Sequence, residues 1–425
     1  MTTVPTAMTQ PLCLRRPALR HFCLRARVAR SILAQVTQRV PVDIVMPDGT
    51  LIDGGLRRAD HPAIEIVRPT ALFERLAHHP KIGIGEAYMA GDWKAAEGTD
   101  LVEVLLPFAE RMTTAVPPWL LSLRGVVDRR IPTAQRNSLL GSRRNIEAHY
   151  DLSNDLFATF LDETMSYSSA VFAQGLPPET QDFEEAQLRK VNAILDLAKV
   201  GQDTRLLEIG TGWGTLALEA AKRGALVTSV TLSREQAALA RERIADAELA
   251  HRVDIRVQDY REVDGEFDAV VSVEMVEAVG EEYWATYFRT IDERLAPGGI
   301  AAVQTILMSH DRLLATKHSY GWIQKHIFPG GLIPSLQAIS ETTDAATTLQ
   351  VTAVDAFGTD YAETLRRWRQ TFIARWPEVN ALGFDETFRR RWEFYLAYCQ
   401  AGFATGYLDV AQVRFERGGI QAGVA

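Results

Sequence analysis

Three cysteines in 425 residues, at Cys13, Cys23 and Cys399, are too few and too scattered for a disulfide framework or a zinc site. A reducing cytoplasm is therefore the expected compartment. The nine histidines show no HExxH or other paired spacing, so no metal centre is expected. No apolar run approaches the roughly 18 residues of a membrane span. The first 30 residues also lack the apolar block and small-residue cleavage site of a secretory signal. Acid is missing from one place in particular: none precedes Asp43, against seven arginines (Arg15, Arg16, Arg20, Arg25, Arg27, Arg30 and Arg39). Leu12, Leu14, Leu19, Phe22, Leu24, Ile32 and Leu33 are interleaved with them. Residues 1–30 thus read as a basic amphipathic segment suited to an anionic lipid surface. Internal repeats and low-complexity tracts are absent.

A chain of this length is expected to hold about two domains. Its hydrophobic content of 47% supplies ample core, and a net charge of -8 suits a soluble protein with no nucleic-acid partner. Residues 31–115 read as a small α+β unit. Its expected strands are Val42–Met46, Thr50–Ile52 and Ala63–Val67, with a helix over Thr70–Ala77 and a glycine-punctuated turn over Ile82–Glu86. Residues 116–144 are rich in proline and arginine and read as a linker. Residues 145–425 form the larger unit. Helical patterning covers Asn145–Leu161 and Glu184–Leu197, and strands then alternate with helices at 205–209, 226–230, 253–257, 267–272 and 300–306. That alternation predicts an α/β fold, a parallel sheet with helices on both faces. Two late strands, Leu349–Ala356 and Val410–Glu416, flank an aromatic-rich helical stretch with Trp368, Phe372, Trp376, Trp392, Phe394, Tyr395 and Tyr398. Tryptophans at helical spacing are core in the ordinary case; some could line a pocket for an acyl chain.

The most informative run is Leu207-Glu208-Ile209-Gly210-Thr211-Gly212-Trp213-Gly214. An apolar strand ends in an acid and a three-glycine turn, and a helix follows. Such glycines let a ligand approach the backbone where a β-carbon would block it. A dinucleotide fold would place a carboxylate at the end of the next strand for the ribose hydroxyls. Here that place holds Thr231 and, on the following helix, Gln236, and the turn reads GxGxG rather than GxGxxG. The pattern favours S-adenosylmethionine (SAM) over a nicotinamide nucleotide in a Rossmann-like fold.

Several segments then carry a resemblance: Asn145–Phe157 (NIEAHYDLSNDLF), Met165–Ser169 (MSYSS), the glycine turn, Thr231–Gln236, Gln258–Arg261 (QDYR), Ile327–Gly331 (IFPGG) and Asp360-Tyr361. In this order the chain resembles the cyclopropane-fatty-acyl-phospholipid synthases and mycolic-acid methyltransferases. Gly83–Trp93 (GIGEAYMAGDW) resembles the family's amino-terminal lipid-engaging module. Val273–Ala278 together with Gln304 looks most like the branch making tuberculostearic-type methyl-branched lipids. The resemblance implies a class I SAM-dependent methyltransferase that transfers a methyl group to the cis double bond of an unsaturated phospholipid acyl chain. For SAM it implies Tyr167 and Ser168 over the cofactor, with Gly210, Gly212 and Gly214 beneath its methionine portion. Thr231 and Gln236 fall near the ribose, Asp259 and Tyr260 near the adenine, and Glu208 against the amino-acid part. Trp213 reads as packing under the turn.

For the base that removes a proton after methyl transfer, the resemblance implies a bicarbonate ion. Its ligands would be Glu277, Tyr361, Gln304 and the backbone of Ser169 and Ile306. Ser169 and Gln304 depart from the cysteine and histidine usual in cyclopropane synthases, and a neutral amide donates a hydrogen bond but accepts no proton. Glu277 as a direct base is the competing account, and Glu274, nearer the strand end, reads as a decoy. Proton loss before a hydride shift closes a cyclopropane; proton loss after it gives a methylene branch, the exit expected here. A flavin- or nicotinamide-dependent reductase would then saturate that branch. Cyclopropane synthesis is the alternative, and a non-catalytic lipid-binding protein is the reading from another class. The expected site of action is the inner face of the membrane, peripherally bound, with homo-oligomerisation left open.

Overall fold

The computed structural model describes residues 22–111 and 153–418. Residues 1–21 of the basic segment, the linker 116–144 and residues 145–152 lie outside the described residues. The chain divides into two compact units. Among described residues, the first gathers 22–111 with His318–Pro329 and Leu365–Tyr407. The second holds 153–317, Gly330–Thr364 and 408–418. Residues 365–407 were expected inside the larger unit. Sequence periodicity gives a helix an apolar face but not the partner for it, so this return of the chain was not legible.

The first unit holds three short strands, β1 (Asp43–Val45), β2 (Ala63–Ile66) and β3 (Trp93–Ala95), in the order β1-β2-β3. The anticipated hairpin after Val45 is reduced to a single bridge, Val45 to Leu51. Helices span Pro69–His78 and Pro80–Ala90. The second of these corrects the turn expected over Ile82–Glu86. Those glycines serve close packing: a β-carbon on Gly83 would sit 2.4 Å from the Arg75 carbonyl oxygen, and one on Gly85 would lie 2.5 Å from the Trp322 ring. The true stop is Gly91, at φ 74, in the left-handed conformation that favours glycine there. Asp92 follows, fully buried between Arg68 and Arg75, each 2.8 Å away. Because the Arg75 carbonyl belongs to the backbone and cannot swing aside, Gly83→Val should cost about 1–3 kcal/mol in urea unfolding.

The aromatic stretch is core apart from the partly buried Trp376 and the exposed Tyr398. Phe372, Phe388, Trp392 and Tyr395 run as successive ring contacts 5.4–6.4 Å apart, and Trp368, Phe372 and Trp392 are at most 1% exposed.

In the second unit a seven-stranded sheet comprises β4 (Arg205–Ile209), β5 (Leu226–Thr231), β6 (Val253–Val257), β7 (Phe267–Val273), β8 (Leu295–Leu307), β9 (Leu349–Ala356) and β10 (Asp409–Arg417). Their order is β6-β5-β4-β7-β8-β10-β9, parallel from β6 to β8, with β10 antiparallel to both its neighbours. Parallel strands with both faces covered must be apolar on both sides, and two clusters show it. Helices 183–197, 215–222 and 234–246 cover one face around Leu206, Val227 and Val271. Helices 281–294 and 336–346 cover the other around Leu207, Val270 and Val303. The order reverses at β4, between β5 and β7. In an open α/β sheet the crevice beyond the carboxyl ends at such a point is where ligands bind. Among the described residues no helix is long and apolar enough to cross a membrane, and no three His, Cys, Asp or Glu side chains are grouped to hold a metal ion.

Candidate active site

The expected site residues stand at this carboxyl edge. Gly210 (φ 97), Gly212 (φ 51) and Gly214 (φ 89) all have left-handed backbone in the turn after β4. A β-carbon on Gly212 would meet nothing within 4 Å, so the turn leaves open space over that residue. Gly214 serves packing instead, since its β-carbon would lie 2.9 Å from that of Ala240. Trp213 is buried under the turn, its ring 4.9 Å from that of Phe157 and its Nε1 donating to Asn154 at 2.7 Å. Tyr167 packs on the same Phe157 ring at 5.1 Å.

Glu208, the last residue but one of β4, is buried, and its carboxylate accepts from the Ser229 hydroxyl on β5. Burial pushes its carboxyl up to about 8, against the pull of Ser229 and Lys190. After β5, the Thr231 hydroxyl donates to Gln236 Oε1 at 3.1 Å, and Gln236 is held at the start of its helix by the Ser233 cap. After β6, both oxygens of Asp259 are taken by Arg261, at 2.8 and 2.7 Å. Tyr260 beside it is buried, its hydroxyl without a hydrogen-bond partner among the described residues.

The expected acid–base set divides in two. Ser169 N, Gln304 Nε2 and Tyr361 Oη do converge, but on Glu274. They donate to its carboxylate at 3.0, 2.9 and 2.6 Å. Ile306 N and the Thr305 hydroxyl instead donate to Glu277 Oε1, while Glu277 Oε2 is buried with no partner among the described residues. Burial pushes Glu277 up to about 8, with the Glu274 charge adding to the rise. Glu274 is raised by the same loss of water, opposed by Tyr361, Ser169, Gln304 and Lys190 in that order. Its backbone is left-handed at φ 52, which a non-glycine residue adopts only under local constraint. Next to it, the Met275 side chain fills the place where a Gly210 β-carbon would stand, so the end of β7 and the glycine turn adjoin.

Supporting side chains fix this cluster. Gln412 Nε2 donates to Gln304 Oε1 at 3.1 Å, which turns the Gln304 amide nitrogen toward Glu274. Thr364 and Asp360 accept from Ala170 N and Phe172 N, seating the 168–172 segment. Lys190 is buried and donates to the Ser168 hydroxyl at 2.7 Å; burial pulls its ammonium down to about 8 against Glu274, Asp162 and Glu208. Gln187 donates to the Ser168 carbonyl at 3.0 Å.

Sequence reasoning missed Lys190, Gln187 and Gln412. A signal existed for the first two: both sit on the buried stripe 186, 187, 190, 191, 194, 195 of helix Phe183–Leu197, where an apolar residue is the rule. Glu274, set aside as a decoy, is the centre of the cluster.

A family model for mycolic acid cyclopropane synthetase matches residues 138–413. This chain belongs to that family. Relatives of the mycolic acid cyclopropane synthetase family include tuberculostearic acid methyltransferase of Mycobacterium tuberculosis, 48% identical over 390 residues, or 91% of this chain and 90% of that protein. Cyclopropane-fatty-acyl-phospholipid synthase of Escherichia coli is 32% identical over 383 residues, 89% of this chain and 93% of that protein. Among solved structures, a mycolic acid cyclopropane synthase complexed with SAH and CTAB matches with a TM-score of 0.59 at 29% identity, covering 65% of this chain and 98% of that one. The fold is that of a Rossmann-like class I methyltransferase, and the chain is an enzyme of the SAM-dependent methyltransferase class.

Proposed function

We propose that this enzyme transfers a methyl group from SAM to the cis double bond of an unsaturated phospholipid acyl chain. The product is a methylene-branched chain, which a partner reductase saturates to a methyl branch of the tuberculostearic type. The observation that carries the reading is the adjoining of an open glycine turn and a buried carboxylate cluster at one sheet edge, in a chain 48% identical to a tuberculostearic acid methyltransferase.

The residues present fit SAM. Gly212 leaves a cradle that a β-carbon would fill, and Tyr260 offers an unpartnered buried hydroxyl. Burial raises the Glu208 pKa further than Ser229 and Lys190 lower it, so a cationic ligand group would stabilise its ionised form. We assign Gly210, Gly212, Gly214 and Glu208 to the methionine portion, Thr231 and Gln236 to the ribose, Asp259 and Tyr260 to the adenine, with Tyr167 and Ser168 above. Bound SAM supplies an electrophilic methyl on a sulfonium. The chain must hold the olefin at near-attack distance, exclude water from the cation left on the lipid, and take a proton from it. We place the proton transfer at the carboxylate cluster that Tyr361, Gln304, Ser169, Ile306 and Glu277 help to build.

Glu208 gives this assignment a pH signature. Its raised pKa means that it is protonated below about pH 8 without ligand. A cationic ligand group favours the ionised form, so binding expels a proton there. SAM affinity should therefore rise with pH up to about 8, and calorimetry of Glu208→Gln should show that dependence lost.

The similarity to a cyclopropane-fatty-acyl-phospholipid synthase favours ring closure as the second reading. Because the substrate lies in a bilayer, we place the enzyme peripherally at the inner membrane face. Incubation with methyl-labelled SAM and vesicles of phosphatidylglycerol tests the reaction. Label should enter cis-monounsaturated acyl chains and leave saturated ones unlabelled. Label in neither, or only in the headgroup, would reject it.

A further inference from the structure

We infer that Glu274 supplies, from the chain itself, the anionic base that the resemblance assigns to a bound bicarbonate. The inference rests on the reaction proposed above and names the group that completes it.

Three donors from three separate elements meet at one point: the Ser169 backbone N–H, the Gln304 amide and the Tyr361 hydroxyl. Each presents hydrogen, so the place they enclose calls for an anion. These are three of the donors expected to hold bicarbonate, and the Glu274 carboxylate already occupies all three. The residues present do not fit a further anion there. Ile306 N, another expected donor, is engaged by Glu277. Gln304 cannot accept a proton, so an ionisable group is required elsewhere in the cluster. Glu277 is less suited to be that group. Two donors share its Oε1, its Oε2 has no partner among the described residues, and burial holds it toward the neutral acid. Glu274 has three donors spread over both its oxygens, and the field of the Lys190 ammonium to oppose its burial. Its left-handed backbone is what turns it into the cluster, and Met275 ties it to the glycine turn.

In the reaction, the olefin π pair forms the new bond to the transferred methyl, and the carbon–sulfur bond pair leaves with sulfur. A hydride shift moves the cation to the methylated carbon. Glu274 then takes a proton from the new methyl, and that C–H pair becomes the methylene double bond. The Glu274 carboxylic acid then gives up that proton to water, which restores the carboxylate.

Two substitutions test this in the full chain. Glu274→Gln keeps the shape and removes the base. Glu274→Gly relieves the left-handed backbone and frees the three donors. Both should lower kcat at least about a hundredfold, in line with loss of acid–base help, with SAM affinity by calorimetry near wild type. Added bicarbonate should restore turnover to Glu274→Gly but not to Glu274→Gln, and wild type should run at full rate in carbonate-free buffer. Wild-type turnover that needs bicarbonate, or a Glu274→Gln enzyme as fast as wild type, would overturn the inference while leaving methyl transfer intact. A wild type that labels no unsaturated lipid would reject the reaction itself, and this role with it.

Discussion

Gly212→Val should weaken SAM binding at least about a hundredfold while the protein stays folded. Two costs combine. Valine is β-branched, and at φ 51 it would be held in the left-handed region at roughly 1–3 kcal/mol. Its side chain would also fill the open space over the turn, where a β-carbon now meets nothing within 4 Å. That same openness is why the fold should survive: a β-carbon there collides with no neighbour. Gly214→Val would not make this distinction, because its β-carbon meets Ala240 at 2.9 Å and the helix packing would suffer as well. Calorimetric titration with SAM, with circular dichroism as the control for folding, checks the result. Near-normal affinity in Gly212→Val would remove the turn from the cofactor site.

Lys190→Met should destabilise the protein by about 3–5 kcal/mol, the usual cost of removing one partner from a buried charge cluster. Lys190 is 3% exposed, and its ammonium faces the carboxyl groups of Glu274 and Asp162. Methionine matches the aliphatic part of the side chain, so the loss would report mainly the charge. The Ser168 hydroxyl would lose its donor as well, loosening the segment that carries Ser169 to Glu274. Urea unfolding measures the first effect; a fall in kcat in the variant that remains folded measures the second. Unchanged stability would mean that these carboxylates are neutral in the folded protein and need no counter-ion.

The centre of the parallel sheet was legible because β4 and β7 are largely apolar on both faces. Segments 205–209 and 253–257, and the antiparallel edge strand 349–356, fall where the pattern put them, and the three glycines of the turn after β4 all have left-handed backbone. Gly83 and Gly85 were misread because glycine serves both turns and close helix packing, and only the neighbour, Arg75 or Trp322, tells which. The convergence of Ser169, Gln304 and Tyr361 came from resemblance, since no local pattern links residues so far apart. What escaped was the identity of the group they enclose. Glu274 and Glu277 look alike in sequence, and periodicity encodes neither the left-handed backbone at Glu274 nor the donors that meet there.

Proton NMR of the lipid recovered after incubation with SAM and oleoyl phosphatidylglycerol tests the central claim most directly. A new vinylidene signal should appear downfield, with one methyl carbon gained per converted chain. Upfield cyclopropane protons in its place would contradict the methylene exit, and an unaltered olefin would contradict methyl transfer to lipid altogether.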